Sequence, residues 1–512
     1  MKRVLATLCL VLISIAPCLI AQVASPTGNP PVVEAYETGS NMAWSLSLEF
    51  DVHVWTDAGW VPANARGMAR KSEDQWYYQG LYPWVHWVTI GAADSVRVRV
   101  SKRAGALRVA NFSKVKISPA RYGIAAENLT TTSFEFVALR GQKVYCEVNE
   151  QDIDPLFVFV NPPKPTPPPT PTPADCLYYP PGFTSIGDGY QVPASVKTIY
   201  LDGGAWVSGG FDLSQVTGPI SIVGPGFLVG TVLDAPSLFR PVGQPEMPDS
   251  QRLGYVLIRR DAAPYSQSAA LYMDGPTLVA APFYNVYIPT MLGRKEFRNV
   301  HMLSPWWFNT DGFLAVENAD VRDCFLYQND NKFTPEFSGG GLTVQSSVLA
   351  GRNSFQIGYG YPDPNARSLY PEFRGMDLIL QRDRIPFIAK VDAPNSSVEI
   401  HDQRYSDISV SGDVLRLFDI QHVNVGWMSG GGTLGSIKRV VFRNVNLSGS
   451  QQYKSVIKAG LADLGQKFEC YFENLVIGGV VVTAGAAGNW RDYFDDSFNS
   501  NVKLVFNGEL AQ

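Results

Sequence analysis

Two short polar clusters, Asn309-Thr310-Asp311-Gly312 and Gln328-Asn329-Asp330-Asn331, each follow a run of aromatic or apolar residues between Trp306 and Gly341. Asp311 and Asp330 lie 19 residues apart, too far for one strand or one helical turn but close to one coil of a parallel β-solenoid. Equivalent positions on successive coils of such a fold stack at the strand spacing of about 4.8 Å. Two carboxylates then face one groove, a pairing suited to general acid–base chemistry in which one carboxyl gives a proton and the other takes one. The same residues also make good turns beside Gly312 and Asn331, and the scaffold has to decide between the two readings.

The scaffold is read from repeats. Phe297-Arg-Asn-Val300, Phe373-Arg-Gly-Met376, Tyr405-Ser-Asp-Ile408, Phe442-Arg-Asn-Val445 and Phe472-Glu-Asn-Leu475 repeat one pattern. It consists of an aromatic residue, two mostly polar residues, then an apolar residue opening a short strand. Val300, Val321 and Val344 begin similar strands. Turn-plus-strand units of 20 to 30 residues with almost no helical periodicity predict a stacked, right-handed parallel β-helix over residues 176–512. A large antiparallel sandwich would need hairpin signals, and the only Asn-Gly, Asn507-Gly508, lies at the very end.

Residues 30–160 read differently. Leu46, Leu48, Phe50, Val52 and Val54 alternate with Ser47, Glu49, Asp51 and His53, and Val96, Val98 and Val100 alternate with Arg97 and Arg99. Short alternating strands predict an N-terminal antiparallel β-sandwich. Six tryptophans between Trp44 and Trp87 either form a sugar-binding platform or fill the core and its contact with the next unit, and the core is the better fit. Residues 161–175 hold Pro162 to Pro173, with 8 prolines in 12 positions, which predicts a stiff, solvated polyproline linker.

Lys2 and Arg3 precede an apolar run from Val4 to Ile20, with small residues at Ala21 and Ala24. Residues 1–24 are therefore expected to be a signal peptide and the mature chain to be secreted. Ser14 and Pro17 interrupt a run already short for a membrane anchor, and Pro17 stands where lipid attachment at Cys18 would need a small residue. Of the six cysteines, Cys146, Cys176, Cys324 and Cys470 follow the leader. They allow two disulfides, although Cys324, inside a strand-like run, equally suits a buried thiol. Their wide spacing excludes a zinc cluster.

The 512 residues carry a net charge of −5, which gives no basic surface for nucleic acid. Gly (46) and Pro (36) are plentiful, charged residues are only 17% and aromatics 12% with 11 Trp. That mixture suits a β-rich secreted protein that handles carbohydrate. A monomer without metal or cofactor, not membrane-bound once mature, is expected, with a polysaccharide as its partner.

The ordered motifs NMAWS (Asn41 to Ser45), LYYPPG (Leu177 to Gly182), YLDGGAWVSGGF (Tyr200 to Phe211), GPTLVAAPF (Gly275 to Phe283), FNTDG (Phe308 to Gly312), QNDN (Gln328 to Asn331) and FQIGY (Phe355 to Tyr359) resemble glycoside hydrolase family 49. That family contains dextranases and isopullulanases, built as a sandwich followed by a right-handed β-helix. The resemblance spans most of the mature chain. It implies an inverting α-glucan hydrolase with three aspartates. Asp330 matches the acid that protonates the glycosidic oxygen and Asp311 a base that activates water. Asn331 occupies the third position. Where the family continues into a lysine and aromatic residues, this chain is read as departing, with Thr334, Pro335, Glu336 and Phe337.

Inversion independently requires an acid on one side of the bond and an ionised carboxylate on the other, about 6.5–9.5 Å apart. Crowded carboxylates keep one of them protonated, so a neutral Asn331 weakens that push on Asp330 and removes one acceptor for water. Trp306, Trp307, Tyr327 and Tyr359 can stack on pyranose faces or pack in the core, and Gln328 and Gln356 complete the expected substrate contacts. A polysaccharide-binding β-helix that has lost its third carboxylate is the alternative. Pectin-directed relatives share Asn-Thr-Asp but also carry Gly-His-Gly and Arg-Ile-Lys, and neither tripeptide occurs here.

Overall fold

A computed structural model describes residues 33–35, 46–69, 84–230, 256–304, 310–334, 341–356, 371–390, 399–421, 436–458, 468–496 and 501–511, apart from positions 107, 110, 171, 262, 315, 329, 352–353 and 382–383. The leader over 1–24 lies outside the described residues. Almost every regular element is a strand, and the largest sheet runs in sequence order from Cys176–Tyr179 to Glu509–Leu510. Its pairings are parallel from one coil to the next, so the described residues between 176 and 511 wind as a parallel β-helix.

One interior column explains the repeated sequence pattern. Met273, Phe297, Val321, Val344, Phe373, Tyr405, Phe442, Phe472 and Phe506 pair in register from coil to coil. From Phe373 onward the rings stack, with centroids 5.0 Å apart for Phe373–Tyr405, 5.2 Å for Tyr405–Phe442 and 4.8 Å for Phe472–Phe506. Each buried ring contributes roughly 1.5–3 kcal/mol of transfer free energy. Coils range from 23 residues between Val321 and Val344 to 37 between Tyr405 and Phe442, so the longer ones exceed the spacing read from the sequence. Val300 is not equivalent to Val321, because Phe297 is the residue in register with it.

The polar residue two positions after each aromatic turns the chain between strands. Asn299, Asp407, Asn444, Asn474 and Asn507 are at φ 49°, 55°, 52°, 56° and 50°; the last of these directly follows its ring at Phe506. Asn and Asp tolerate this left-handed region better than other side-chain-bearing residues. Their side chains also bridge coils, as Asn474 Nδ2 donates to Asn444 Oδ1 at 3.0 Å and Asn444 Nδ2 to Asp407 Oδ1 at 2.8 Å. Asn507-Gly508 closes a terminal antiparallel hairpin, Val502–Phe506 with Glu509–Leu510.

Before the helix, two sheets enclose a shared apolar cluster. One is antiparallel, in the order Gly59–Ala63, Phe50–Thr56, Ser95–Lys102, Ser133–Leu139. The other is mixed rather than purely antiparallel, since Trp84–Ala92 pairs parallel with Gln151–Asn161. Val52, Val54, Val96, Val98 and Phe136 of the first meet Val88, Ile90, Val144, Leu156 and Val158 of the second. The alternation read from Leu46 breaks at its start: Leu48 is exposed, while Ser47 and Glu49 are buried. Ser47 Oγ accepts the Phe50 N–H at 2.9 Å, and Glu49 Oε2 accepts the Val109 N–H at 2.9 Å. These bonds satisfy the polar side chains and shift the strand to begin at Phe50.

The mixed sheet packs on the β-helix. Phe157 meets Phe325 at 4.7 Å, and Phe159 stacks on His301 at 4.1 Å with a 9° interplanar angle. Trp87 is buried in the same cluster, one tryptophan that fills the contact. The proline stretch is largely exposed, as expected, but is tethered to the β-helix: Lys164 Nζ lies 3.1 Å from Asp202 Oδ1, and Tyr200 OH donates to the Pro165 carbonyl at 2.5 Å. Cys146, Cys176, Cys324 and Cys470 are all free thiols. Burial pushes Cys324 and Cys470 up to about 12, which keeps them protonated.

A charge also crosses this contact. Arg121 Nε lies 2.6 Å from Oδ2 of the fully buried Asp377. Burial pushes the Asp377 carboxyl up from 3.8 to about 7, against the opposing pull of Arg121. Between about pH 4 and 7 the folded chain therefore holds a proton that the unfolded chain has lost, and this group's contribution makes stability fall as pH rises through that window. Asp377→Asn, which cannot titrate, is expected to flatten the dependence of Tm on pH between about 4 and 7 relative to wild type. Parallel curves for the two proteins would remove Asp377 as the source.

Candidate active site

Asp311 and Asp330 precede two short strands, Phe313–Leu314 and Phe333–Thr334, that pair on neighbouring coils. The register is Phe313 with Phe333, one residue longer than the spacing of the two aspartates. The coil partner of Asp311 is therefore Asn331, and Asp330 flanks that pair. The Gly312 N–H donates to the Asn331 carbonyl at 2.9 Å, and Asn331 Nδ2 donates to Asp311 Oδ1 at 3.2 Å. Asp330 Oδ1 accepts the Asn331 N–H at 2.9 Å. Three residues from two coils thus form one hydrogen-bonded group.

The coil below fixes Asp311 through its backbone. Its carbonyl accepts both the Asn285 N–H at 2.9 Å and Asn285 Nδ2 at 3.0 Å. Ser304 Oγ donates to Asn285 Oδ1 at 3.1 Å, and Thr310 Oγ1 donates to the Ser304 carbonyl at 2.9 Å. Gly312 allows the coils to approach, since a Cβ there would lie 2.6 Å from the Lys332 carbonyl. The Thr-Asp-Gly sequence is thus explained by packing as well as by chemistry.

The expectation that both carboxylates face an open groove does not hold for Asp311. Asp330 is half-buried, but only 5% of Asp311 reaches solvent. The donated Asn331 amide suits an ionised Asp311, because a carboxylate is an acceptor only. Asn331 Oδ1 is left buried without a hydrogen-bond partner among the described residues.

No family model matches the chain. A stretch of 167 residues is 25% identical to a dextranase of Arthrobacter globiformis, covering 31% of this chain and 26% of that protein. A stretch of 184 residues is 23% identical to a dextranase of Arthrobacter sp. (strain CB-8), covering 34% and 28%. The chain thus matches about a quarter of the length of these curated relatives. In fold it is similar to Dex49A from Penicillium minioluteum, with a TM-score of 0.61 over 94% of this chain and 97% of the other at 14% identity. The chain resembles the dextranases of glycoside hydrolase family 49.

Within this dextranase-like chain the expected sugar contacts fare unevenly. Tyr327 is buried and packs edge-on against Phe157 at 5.5 Å. It belongs to the contact with the N-terminal sheets, so it does not stack on a sugar. Gln328 is fully buried, and its Nε2 and Oε1 have no hydrogen-bond partner among the described residues. Its amide lies against Gly312, inside the coil, and does not line a surface. Gln356 falls in the strand Phe355–Gln356, with its side chain outside what is described. Trp306, Trp307, Asn309 and Tyr359 lie outside the described residues.

Sequence reasoning missed Asn285, Ser304 and Lys332. Lys332 directly follows Asn331, is fully buried, and its Nζ lies 3.4 Å from the Gln328 carbonyl. Its place immediately after the polar cluster was the available signal, so the apparent loss of a lysine here is corrected. Asn285 and Ser304 gave none, because their role depends on coil register.

Proposed function

We propose that the chain is an exported, dextranase-like glycoside hydrolase that cleaves an α-glucan with inversion. Asp330 donates its proton to the glycosidic oxygen as the C1–O bond breaks. Water attacks C1 from the opposite face and gives its proton to Asp311, so one bond is exchanged for another and two sugars leave. The adjacency of Asp330, Asn331 and Asp311 on neighbouring coils is the observation that supports this reading. The near-burial of Asp311 and the amide at Asn331 favour one competitor, a β-helix that binds polysaccharide without cutting it.

Reducing-sugar release by the purified mature chain tests the proposal on dextran, pullulan, other glucans and pectin. Release is expected from an α-glucan, dextran foremost, and not from pectin. Binding without release from every glucan would favour the competitor.

A further inference from the structure

We propose that the outer face of the antiparallel N-terminal sheet is a second binding surface for a neutral polysaccharide, centred on Trp55. The inner face of this sheet is buried through Phe50, Val52, Val54, Val98 and Phe136. Strand alternation therefore sends Trp55, Trp60, Arg97 and Arg99 outward. Trp55 is in register with Trp60 on the adjacent strand, and their rings meet at 5.3 Å and 73°. Arg99 lies over the Trp60 ring at 4.0 Å, so Trp60 is held while Trp55 stays 42% exposed. A tryptophan fixed in this way presents a rigid apolar surface at little entropic cost. Indole suits a ligand that is apolar on one face and hydroxylated at its edge, as a pyranose ring is.

The charges on this face say which polymer fits. Arg97 pairs with Glu127 at 2.8 Å and with Glu135 at 3.1 Å, and Arg99 pairs with Glu135 at 2.6 Å. Asn128 Nδ2 also donates to Glu135 Oε2 at 2.9 Å. Two arginines face two glutamates, and Asp51 on the same face adds a further negative charge, which leaves no positive excess to attract an acidic polymer and suits an uncharged one. A face for a second protein would want a contiguous apolar patch, whereas here the charged pairs of Arg97 and Arg99 stand on the strand between Trp55 and the exposed Leu139.

Native electrophoresis through gels containing dextran, pullulan or polygalacturonate tests this with wild type, Trp55→Ala and Trp55→Phe. Wild type is expected to be retarded by a neutral glucan. Trp55→Ala should bind at least about threefold more weakly, and Trp55→Phe should recover part of the loss. Turnover of a short soluble oligosaccharide and the Tm should match wild type in both variants. Equal retardation of wild type and Trp55→Ala in every gel would overturn the proposal, as would retardation by polygalacturonate alone. Self-association abolished by Trp55→Ala would overturn it too, by assigning the face to a second copy of the chain. A chain that cuts nothing yet loses glucan binding with Trp55→Ala would sink the hydrolase reading and leave this one standing.

Discussion

Asp330→Asn is expected to lower glucan turnover by about 10²–10⁴-fold, the usual worth of general acid–base assistance, while leaving the fold intact. Asp330 Oδ1 accepts the Asn331 N–H at 2.9 Å, and the Oδ1 of an asparagine accepts that bond equally well. The turn is kept and only the proton donor is lost. A glucoside with an aryl leaving group separates the two carboxyls, because such a group departs without protonation. Asp330→Asn should retain far more of its activity on that substrate than on glucan. Asp311→Asn should be equally poor on both, since water still needs its base. Wild-type glucan turnover by Asp330→Asn would remove the acid assignment, and identical behaviour of the two variants on both substrates would remove the division of roles.

Much of this scaffold was legible because the β-helix writes its geometry into local sequence. Phe442-Arg-Asn-Val445 contains a stacked ring, a left-handed turn residue and a buried aliphatic residue, each required by residue type alone. What failed was register. Val321-Arg-Asp-Cys324 repeats Phe297-Arg-Asn-Val300 and so gives the pairing of Val321 with Phe297, which matching the valines alone overlooks, whereas the 19-residue spacing of the aspartates hides that Asp311 faces Asn331 and not Asp330. Tyr327 failed for a related reason: it is a surface aromatic of the coil alone, but Phe157 of the N-terminal sheet covers it. The proline stretch stays exposed as its composition implies, yet Asp202 and Tyr200 tether it at Lys164 and Pro165, partners that a linker by itself does not have. Contacts between distant segments carry no signal in either segment.

The register at Asn331 changes what its replacement should do. Read from sequence, Asn331→Asp restores a missing carboxylate and should raise activity. In the structure Asn331 Nδ2 donates to Asp311 Oδ1 at 3.2 Å, so an aspartate introduced there can keep that bond only while it holds a proton. Two carboxyls at this distance share one proton, and the pair's upper titration moves above the ordinary carboxylate range. In the singly protonated form Asp311 remains ionised and oriented, as in wild type. In the doubly ionised form the two repel and the base loses its anchor. Asn331→Asp is therefore expected to approach wild-type kcat at acid pH and to lose activity with rising pH more steeply than wild type, whose alkaline limb comes from loss of the acid's proton alone. Asn331→Ala, which lacks the donor at every pH, should be impaired without that added steepness. Their pH–rate profiles on one glucan decide the matter. A rise above wild type at neutral pH in Asn331→Asp would show that Asn331 is a lesion in a three-carboxylate site, and the binding reading would then gain ground over hydrolysis.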